Sequence, residues 1–206
     1  MAHSDPLCAV LILAAGASTR MGSTTKQLLP WKGSTLLGHT INAVLASGAT
    51  DIFVVLGANA AKIRAEHDQF PVEFILNPQW ENGLGSSLSA GMLYLSQQEL
   101  PYDGVLVLLA DQPFIDADFL KGMTAQFGQQ RTGIIATDYG NKVGVPALFG
   151  KAYFAELSTL DNDYGAKEVL AKNKSDIFIM DSNGKTVDVD TMETYNKLRK
   201  TLDNTL

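Results

Sequence analysis

Four short apolar runs, Cys8 to Ala15, Ile52 to Leu56, Val72 to Leu76 and Val105 to Ala110, constrain this chain more than any other feature. They are five to eight residues long, too short for helices of ordinary length, and the first and fourth are uninterrupted, as in strands buried on both faces. Helical patterns lie between and after them. Thr35 to Ser47 carries Leu36, Leu37, Ile41, Val44 and Leu45 on one side and stops at Gly48; Ala60 to His67 is shorter. The loop 79–87 flows into a helix through about Gln98, and Asp116 is placed to cap another through about Gln129. Such alternation predicts a three-layer α/β fold, a mostly parallel sheet wrapped on both faces by right-handed crossovers. The runs end at Gly16, Gly57, Asn77 and Asp111. In an open parallel sheet those carboxyl ends share one edge, where ligands bind, so four segments are expected to converge on one site.

The second half is less regular. Gly133 to Thr137 and Val143 to Phe149 read as strands joined by a hairpin around Gly140 and Asn141, an excursion from the parallel pattern. Helices are expected at Lys151 to Leu157 and about Tyr164 to Lys172, then a strand at Ile177 to Met180. A turn at Ser182, Asn183 and Gly184, an extended piece from Thr186 to Val189 and a helix from near Thr191 complete the chain. No repeat, low-complexity tract or linker interrupts it, and 206 residues suit one domain.

After the first run the chain breaks into a loop holding Gly16, Ser18, Arg20, Gly22 and Lys26. Flexible backbone, free N–H groups, small hydroxyls and two cations are the equipment for holding a polyphosphate. The spacing matches neither common phosphate fingerprint. A P-loop needs its Lys directly after the second Gly, whereas Ser23 follows Gly22, and the dinucleotide pattern needs a third glycine. The chain has only four arginines, and one of them, Arg20, sits in this loop. A net charge of −6 speaks against a nucleic-acid polymer as partner but not against a small anion held by a few local cations.

Asp111 ends the most aliphatic strand, at the rim beside the glycine-rich loop. Next to phosphates a bare carboxylate repels unless a cation intervenes, and Mg²⁺ is the natural bridge. Lys26 and Arg20 are placed to neutralise phosphate charge. Trp80 either packs over a base or plugs the rim, and Ser86 and Ser87 sit at a helix start, where hydroxyls also serve as caps. His3, His39 and His67 show no ligand spacing, and no Ser-His-Asp or Cys-His set is visible. Cys8, the only cysteine, lies in the first strand as a buried thiol. No stretch is apolar enough to span a bilayer, and Met1 to Pro6 lack the features of a signal peptide, so a cytoplasmic protein is the expectation.

With these residues in place, the sequence resembles the MobA-like nucleotidyltransferases, and within them the molybdenum cofactor cytidylyltransferases. The likeness runs through Leu13 to Gly22 (Leu-Ala-Ala-Gly-x-Ser-x-Arg-Met-Gly), Lys26 to Pro30, and Asn77 to Trp80 with Gly83 and Ser86 to Leu88. It continues through Leu109 to Pro113, Gly144 to Phe149, Asp163 to Lys167 and Val187 to Thr191. The resemblance implies a Rossmann-like fold of the nucleotide-diphospho-sugar transferase type. It implies nucleotide binding by Leu13, Ala14, Ala15, Gly16, Arg20, Lys26, Asn77, Gly83, Ser86, Ser87 and Asp111. Gly16, Arg20 and Lys26 would meet the triphosphate, and Asn77, Gly83 and Ser87 the base and ribose. Ala15, where guanylyl members carry glycine, points to CTP. Asp111 and Asp190 would hold Mg²⁺, and Arg20, Lys26 and Asp111 would be catalytic. Gly144, Pro146, Asp163, Gly165 and Lys167 would lie near a molybdopterin-type acceptor, and a molybdoenzyme would be the receiving partner.

The chain departs from the pattern in three places. Ser23, Thr24 and Thr25 separate Gly22 from Lys26, where two residues are commoner. Lys167 stands where arginine is usual, and Asp161, Asn162 and Asp163 replace a simpler Gly-Asp. The expected reaction is transfer of CMP to the acceptor's phosphate with release of pyrophosphate. The rivals are transfer to a sugar- or polyol-phosphate or from another nucleotide, and a non-catalytic carrier of the molybdenum cofactor.

Overall fold

The computed structural model describes residues 5–22, 24–98, 101–130, 133–161 and 163–203. Ser23, Asn162 and His3 therefore lie outside the described residues. Nine strands and seven α-helices alternate among them: β1 (Cys8–Leu13), β2 (Pro30–Trp31), β3 (Ser34–Thr35), α1 (Leu36–Ala46), β4 (Ile52–Leu56), α2 (Ala60–His67), β5 (Glu73–Leu76), α3 (Leu84–Leu95) and β6 (Gly104–Leu109). The second half adds α4 (Ala117–Gln130), β7 (Ile134–Asp138), β8 (Val143–Gly150), α5 (Phe154–Leu157), α6 (Ala166–Lys172), β9 (Ile177–Asp181) and α7 (Met192–Asp203). No helix among the described residues is long and apolar enough to cross a membrane.

Seven strands form one sheet in the order β5-β4-β1-β6-β8-β7-β9. All run the same way except β8, which pairs antiparallel with β6 and β7. The expected mostly parallel Rossmann-like sheet with a hairpin excursion in the second half is what the chain forms. The hairpin turns through Tyr139 to Lys142, with the Tyr139 N–H donating to the Lys142 carbonyl at 2.9 Å and Gly140 at φ 86°. Thr186 to Val189, expected as an extended piece, joins no strand ladder.

Alternation along each central strand builds two cores. Ala9, Leu11 and Leu13 of β1, with Val105 and Val107 of β6, face the layer of α3, α5 and α6. Val10, Ile12 and Ala14, with Leu106 and Leu108, face α1 and α4. Burial on both faces is why these strands read as continuous apolar runs rather than alternating ones.

A third, smaller cluster was not visible in the sequence. After the loop, β2 and β3 form a two-stranded hairpin whose turn residues, Lys32 and Gly33, take φ 43° and 76°. Positive φ at both central positions is the geometry of the tight hairpin turns, and glycine supplies the second at no steric cost. The hairpin buries Trp31 against Leu36, Val189 and Tyr195, and the Tyr195 hydroxyl donates to the Pro30 carbonyl at 2.6 Å. The cluster thereby ties the exit of the glycine-rich loop to the C-terminal helix.

Candidate functional site

The sheet order reverses at β1. The chain steps outward through β4 and β5, then returns to the other side of β1 as β6. That switch point lies between the carboxyl ends of β1 and β6, and a cleft of about 620 Å³ opens there. Leu13, Ala14, Ala15, Gly16 and Arg20 line one wall, and Leu109 and Asp111 the other. Trp80, Gly83 and Ser87 contribute from the start of α3, and Lys26, Asp163 and Asp190 complete the rim. Ends of β1 and β6 and the segment after β5 thus meet, while the fourth expected segment, at Gly57 after β4, does not line the cleft but packs under Trp80.

The loop is held open by its own chemistry. Ser18 sits at φ 58°, a left-handed conformation uncommon outside glycine, and starts the tight turn Thr19–Met21. Gln27, 4% exposed, reaches back to donate from Nε2 to the carbonyls of Ala14 at 2.8 Å and Gly16 at 3.0 Å. Those two bonds fix where the remaining polar groups of the loop point, and Gln27 was not singled out in the sequence. A Cβ on Gly16 would meet nothing within 4 Å, so packing within the protein does not demand glycine there. The open space is what close approach of a ligand to backbone requires.

From the end of the loop, the Lys26 ammonium lies 2.5 Å from Asp111 Oδ2 and 3.5 Å from Asp190 Oδ1. Arg20 reaches the same Asp190 oxygen at 3.1 Å. Asp190 is brought there over a long sequence separation by the Val189 N–H, which donates to the Asp111 carbonyl at 2.9 Å. Two carboxylates therefore converge on the point one cation occupies. Asp111 Oδ1 is buried without a hydrogen-bond partner. Orphaned carboxylate oxygen and converging acids fit a divalent cation with oxygen ligands, the rest of its shell coming from phosphate and water. No group of three or more His, Cys, Asp or Glu that could hold a metal ion exists among the described residues.

Behind Asp111 lies a buried polar knot. Gln112, 2% exposed, donates from Nε2 to the Tyr139 hydroxyl at 2.6 Å and to Asp188 Oδ1 at 2.9 Å. Burial pushes the Tyr139 hydroxyl up to about 12, with the nearby Asp188 carboxylate adding to the shift against the Gln112 hydrogen bond. Asp188 is itself raised, chiefly by burial, with the charges of Asp111 and Asp190 also raising it while Gln112 and Lys26 pull the other way.

Other expected residues fall in different places. Asn77 is buried behind the wall rather than lining the cleft. Its Nδ2 donates to Ser86 Oγ at 3.0 Å and Ser87 Oγ at 3.1 Å, and its Oδ1 accepts from the Gln79 N–H at 2.9 Å. It therefore sets the start of α3, while Ser87 reaches the cleft. Gly83, at φ 101°, is packed so closely that a Cβ would lie 2.0 Å from Asp163 Oδ1, which binds the first half of the chain to the Asp163 segment. Gly57 likewise lies flat under Trp80, whose Cβ would be 2.4 Å away from an added methyl. Gly165 is buried against Leu84. Gly144 and Lys167 line a separate small hollow next to the cleft, and Pro146 is buried, its carbonyl accepting from Thr137 Oγ1 at 2.5 Å.

Residues 10–177 match the model of the MobA-like NTP transferase domain, a span that includes the glycine-rich loop and Asp111. The chain belongs to the MobA-like NTP transferase family. Nicotine blue oxidoreductase of Paenarthrobacter nicotinovorans is 28% identical over 96% of this chain and 100% of its own length. Purine catabolism protein PucB of Bacillus subtilis is 26% identical over 96% of this chain and 98% of its own. The bifunctional protein GlmU of Azotobacter vinelandii is 32% identical over 63% of this chain but only 27% of its own length. Among solved structures, Rv0371c from Mycobacterium tuberculosis superposes with a TM-score of 0.81 at 26% identity, covering 96% of this chain and 100% of that one. A second structure of Rv0371C, in complex with manganese, has a TM-score of 0.73 at 27% identity over 93% of this chain and 97% of that one. Asp190 lies beyond the matched family span, so its place at the cleft is a finding of the structure rather than of the family match.

Proposed function

We propose that this protein is a Mg²⁺-dependent cytidylyltransferase that joins CMP from CTP to the phosphate of a molybdenum–molybdopterin acceptor. The observation that carries this reading is the facing of a backbone-lined loop, with its two cations Arg20 and Lys26, by the two carboxylates Asp111 and Asp190 at the switch-point cleft. CTP rather than another nucleotide follows from Ala15 and the loop pattern it belongs to. The acceptor follows from the family likeness in the blocks around Gly144, Asp163 and Lys167.

The chemistry asks little of a general base. A phosphate monoester is largely dianionic at neutral pH, its second pKa lying near about 6, so the acceptor oxygen is already nucleophilic. In the transfer, a bond forms from that oxygen to the α-phosphorus, and the bond from the α-phosphorus to the bridging oxygen breaks, releasing pyrophosphate. Residues of the protein supply alignment and neutralisation. Loop backbone around Ala14 to Gly16, fixed by Gln27, holds the nucleotide. Lys26 and Arg20, now paired with Asp111 and Asp190, turn toward phosphate oxygens as these enter. Asp111 and Asp190 would hold Mg²⁺, which when bound supplies charge neutralisation at the phosphates.

Purified protein with CTP, Mg²⁺ and anaerobically released molybdenum–molybdopterin should release pyrophosphate, and Asp111→Ala should lower that rate about a thousandfold. ATP, GTP, UTP and a sugar phosphate form the control panel. Faster turnover with any of these than with the named pair would assign a different transferase. Tight cofactor binding with no turnover, and no effect of Asp111→Ala, would assign a carrier.

A further inference from the structure

A second concavity opens at the outer side of the sheet, beyond β7 and β9. It measures about 590 Å³ and lies between the β7–β8 hairpin, α6 and β9. Lys142 comes from the hairpin, Lys167 from α6 and Lys174 from the turn that follows it. None of the three forms an ion pair among the described residues. The acid on the lining is Asp138, whose carboxylate accepts from the Gly140 N–H at 2.7 Å. Three lysines against one aspartate leave two positive charges in a chain whose net charge is −6. The floor is apolar, with Val143, Leu170, Ile177 and Ile179, and Ile179 is 54% exposed. Unpaired ammoniums around an exposed aliphatic floor suit a ligand that is flat and anionic together.

The concavity is joined to the cleft. A smaller hollow of about 90 Å³ shares Lys142, Val143, Lys167 and Leu170 with it, and shares Leu84 and Leu109 with the nucleotide cleft. Cleft, hollow and groove therefore follow one another, the groove running from the β7–β8 hairpin down the face of β9 to its amino end at Ile177. We infer that the Lys142–Lys167–Lys174 groove holds the end of the acceptor remote from its reacting phosphate, and selects acceptors whose remote end is a ring system carrying negative charge. This deepens the transferase reading and rests on it for the direction in which the acceptor lies. Lys142 is held for the task by lying 5.7 Å over the Tyr139 ring, whose hydroxyl belongs to the polar knot behind Asp111.

The test uses a ring-bearing anion without a phosphate, so that the cleft is not needed for binding. Pterin-6-carboxylate is titrated into the full-length wild-type protein, the double variant K142E/K174E and the control K197E, whose lysine is exposed on α7. Reversal of two surface charges should weaken the probe about a hundredfold, with K197E like wild type. In turnover, K142E/K174E should raise KM for the acceptor while leaving KM for CTP and kcat unchanged. Failure of wild type to bind the probe, or equal binding by K142E/K174E, overturns the groove. CTP binding is titrated separately on the same samples; its absence would remove the nucleotide reading of the cleft, while the groove stands or falls on the pterin titration.

Discussion

Replacing Lys26 by methionine tests the heart of the site, because its ammonium is the positive charge that touches both carboxylates. Methionine keeps length and apolar volume but removes the charge. Asp111 then loses the partner of Oδ2 at 2.5 Å, and Oδ1 already has none. Both side chains are largely buried, 17% and 16% exposed, so the loss resembles breaking a buried pair and leaving one charge behind. Such losses cost 3–5 kcal/mol when burial is complete; the residual exposure and the neighbouring Arg20 favour the low end, about 3 kcal/mol. For a domain of this size that is a fall in Tm of about 6–12 °C. Two further measurements separate this cause from general damage. Asp111→Asn in the Lys26→Met background should recover stability, since the stranded charge goes with it. A divalent cation should stabilise Lys26→Met more than wild type, because the two carboxylates now converge on empty space; at ten times its dissociation constant it returns about 1.4 kcal/mol. The assay is thermal unfolding of all four members of the cycle, with and without Mg²⁺ or Mn²⁺. A Lys26→Met protein within a degree of wild type, or one indifferent to the second substitution and to metal, would refute the pairing.

Two other substitutions probe the supports of the site. Gly83→Ala forces an alanine into φ 101° and sets its Cβ 2.0 Å from Asp163 Oδ1, so it should cost about 2–5 kcal/mol by equilibrium unfolding, with part of the loss recovered by Asp163→Gly. Asp116→Ala removes the acceptor of the Phe119 N–H at 3.0 Å at the start of α4 and should cost about 1 kcal/mol at neutral pH. Burial alone would raise the Asp116 carboxyl, but hydrogen bonds from Lys185 and the Phe119 backbone outweigh it and hold the pKa below the ordinary value. A depressed folded pKa means stability present above the unfolded value and lost as pH falls through the folded one. The difference between wild type and Asp116→Ala should therefore shrink in acid, below about pH 4, and a difference that grows there would contradict the assignment.

How much of this was legible depended on whether the cause was local. The central strands were readable because burial on both faces leaves an unbroken apolar run, and their ends were readable because glycine, asparagine and aspartate stop such runs. Thr35, at the start of the first helical pattern, caps α1: its hydroxyl accepts from the Gly38 N–H at 2.9 Å and donates to His67 Nε2 at 2.6 Å. The β2–β3 hairpin was not readable, since strands of two residues carry no periodicity and only Lys32 and Gly33 mark the turn. Asn77 could be placed at a strand end but not oriented: two hydrogen bonds to Ser86 and Ser87 of α3 and one from the Gln79 N–H consume its amide, a choice that depends on the path of the intervening loop.

Asp190 marks the limit most clearly. Its sequence neighbourhood is a run of alternating aspartates in an extended segment, and nothing local distinguishes Asp188 from Asp190. The distinction is made by packing. Val189 is fully buried among Trp31, Leu36 and Tyr195, which drives the residues on either side of it outward in the same direction, away from the third cluster. The Val189 N–H then locks onto the Asp111 carbonyl, and register decides the rest. Asp188 is drawn into the knot with Gln112, while Asp190 reaches Lys26 and Arg20 at the cleft. One apolar side chain in a distant cluster thus selects which carboxylate faces the cleft. It also explains why a hairpin with no chemistry of its own, holding Trp31 against Val189, belongs to the functional architecture.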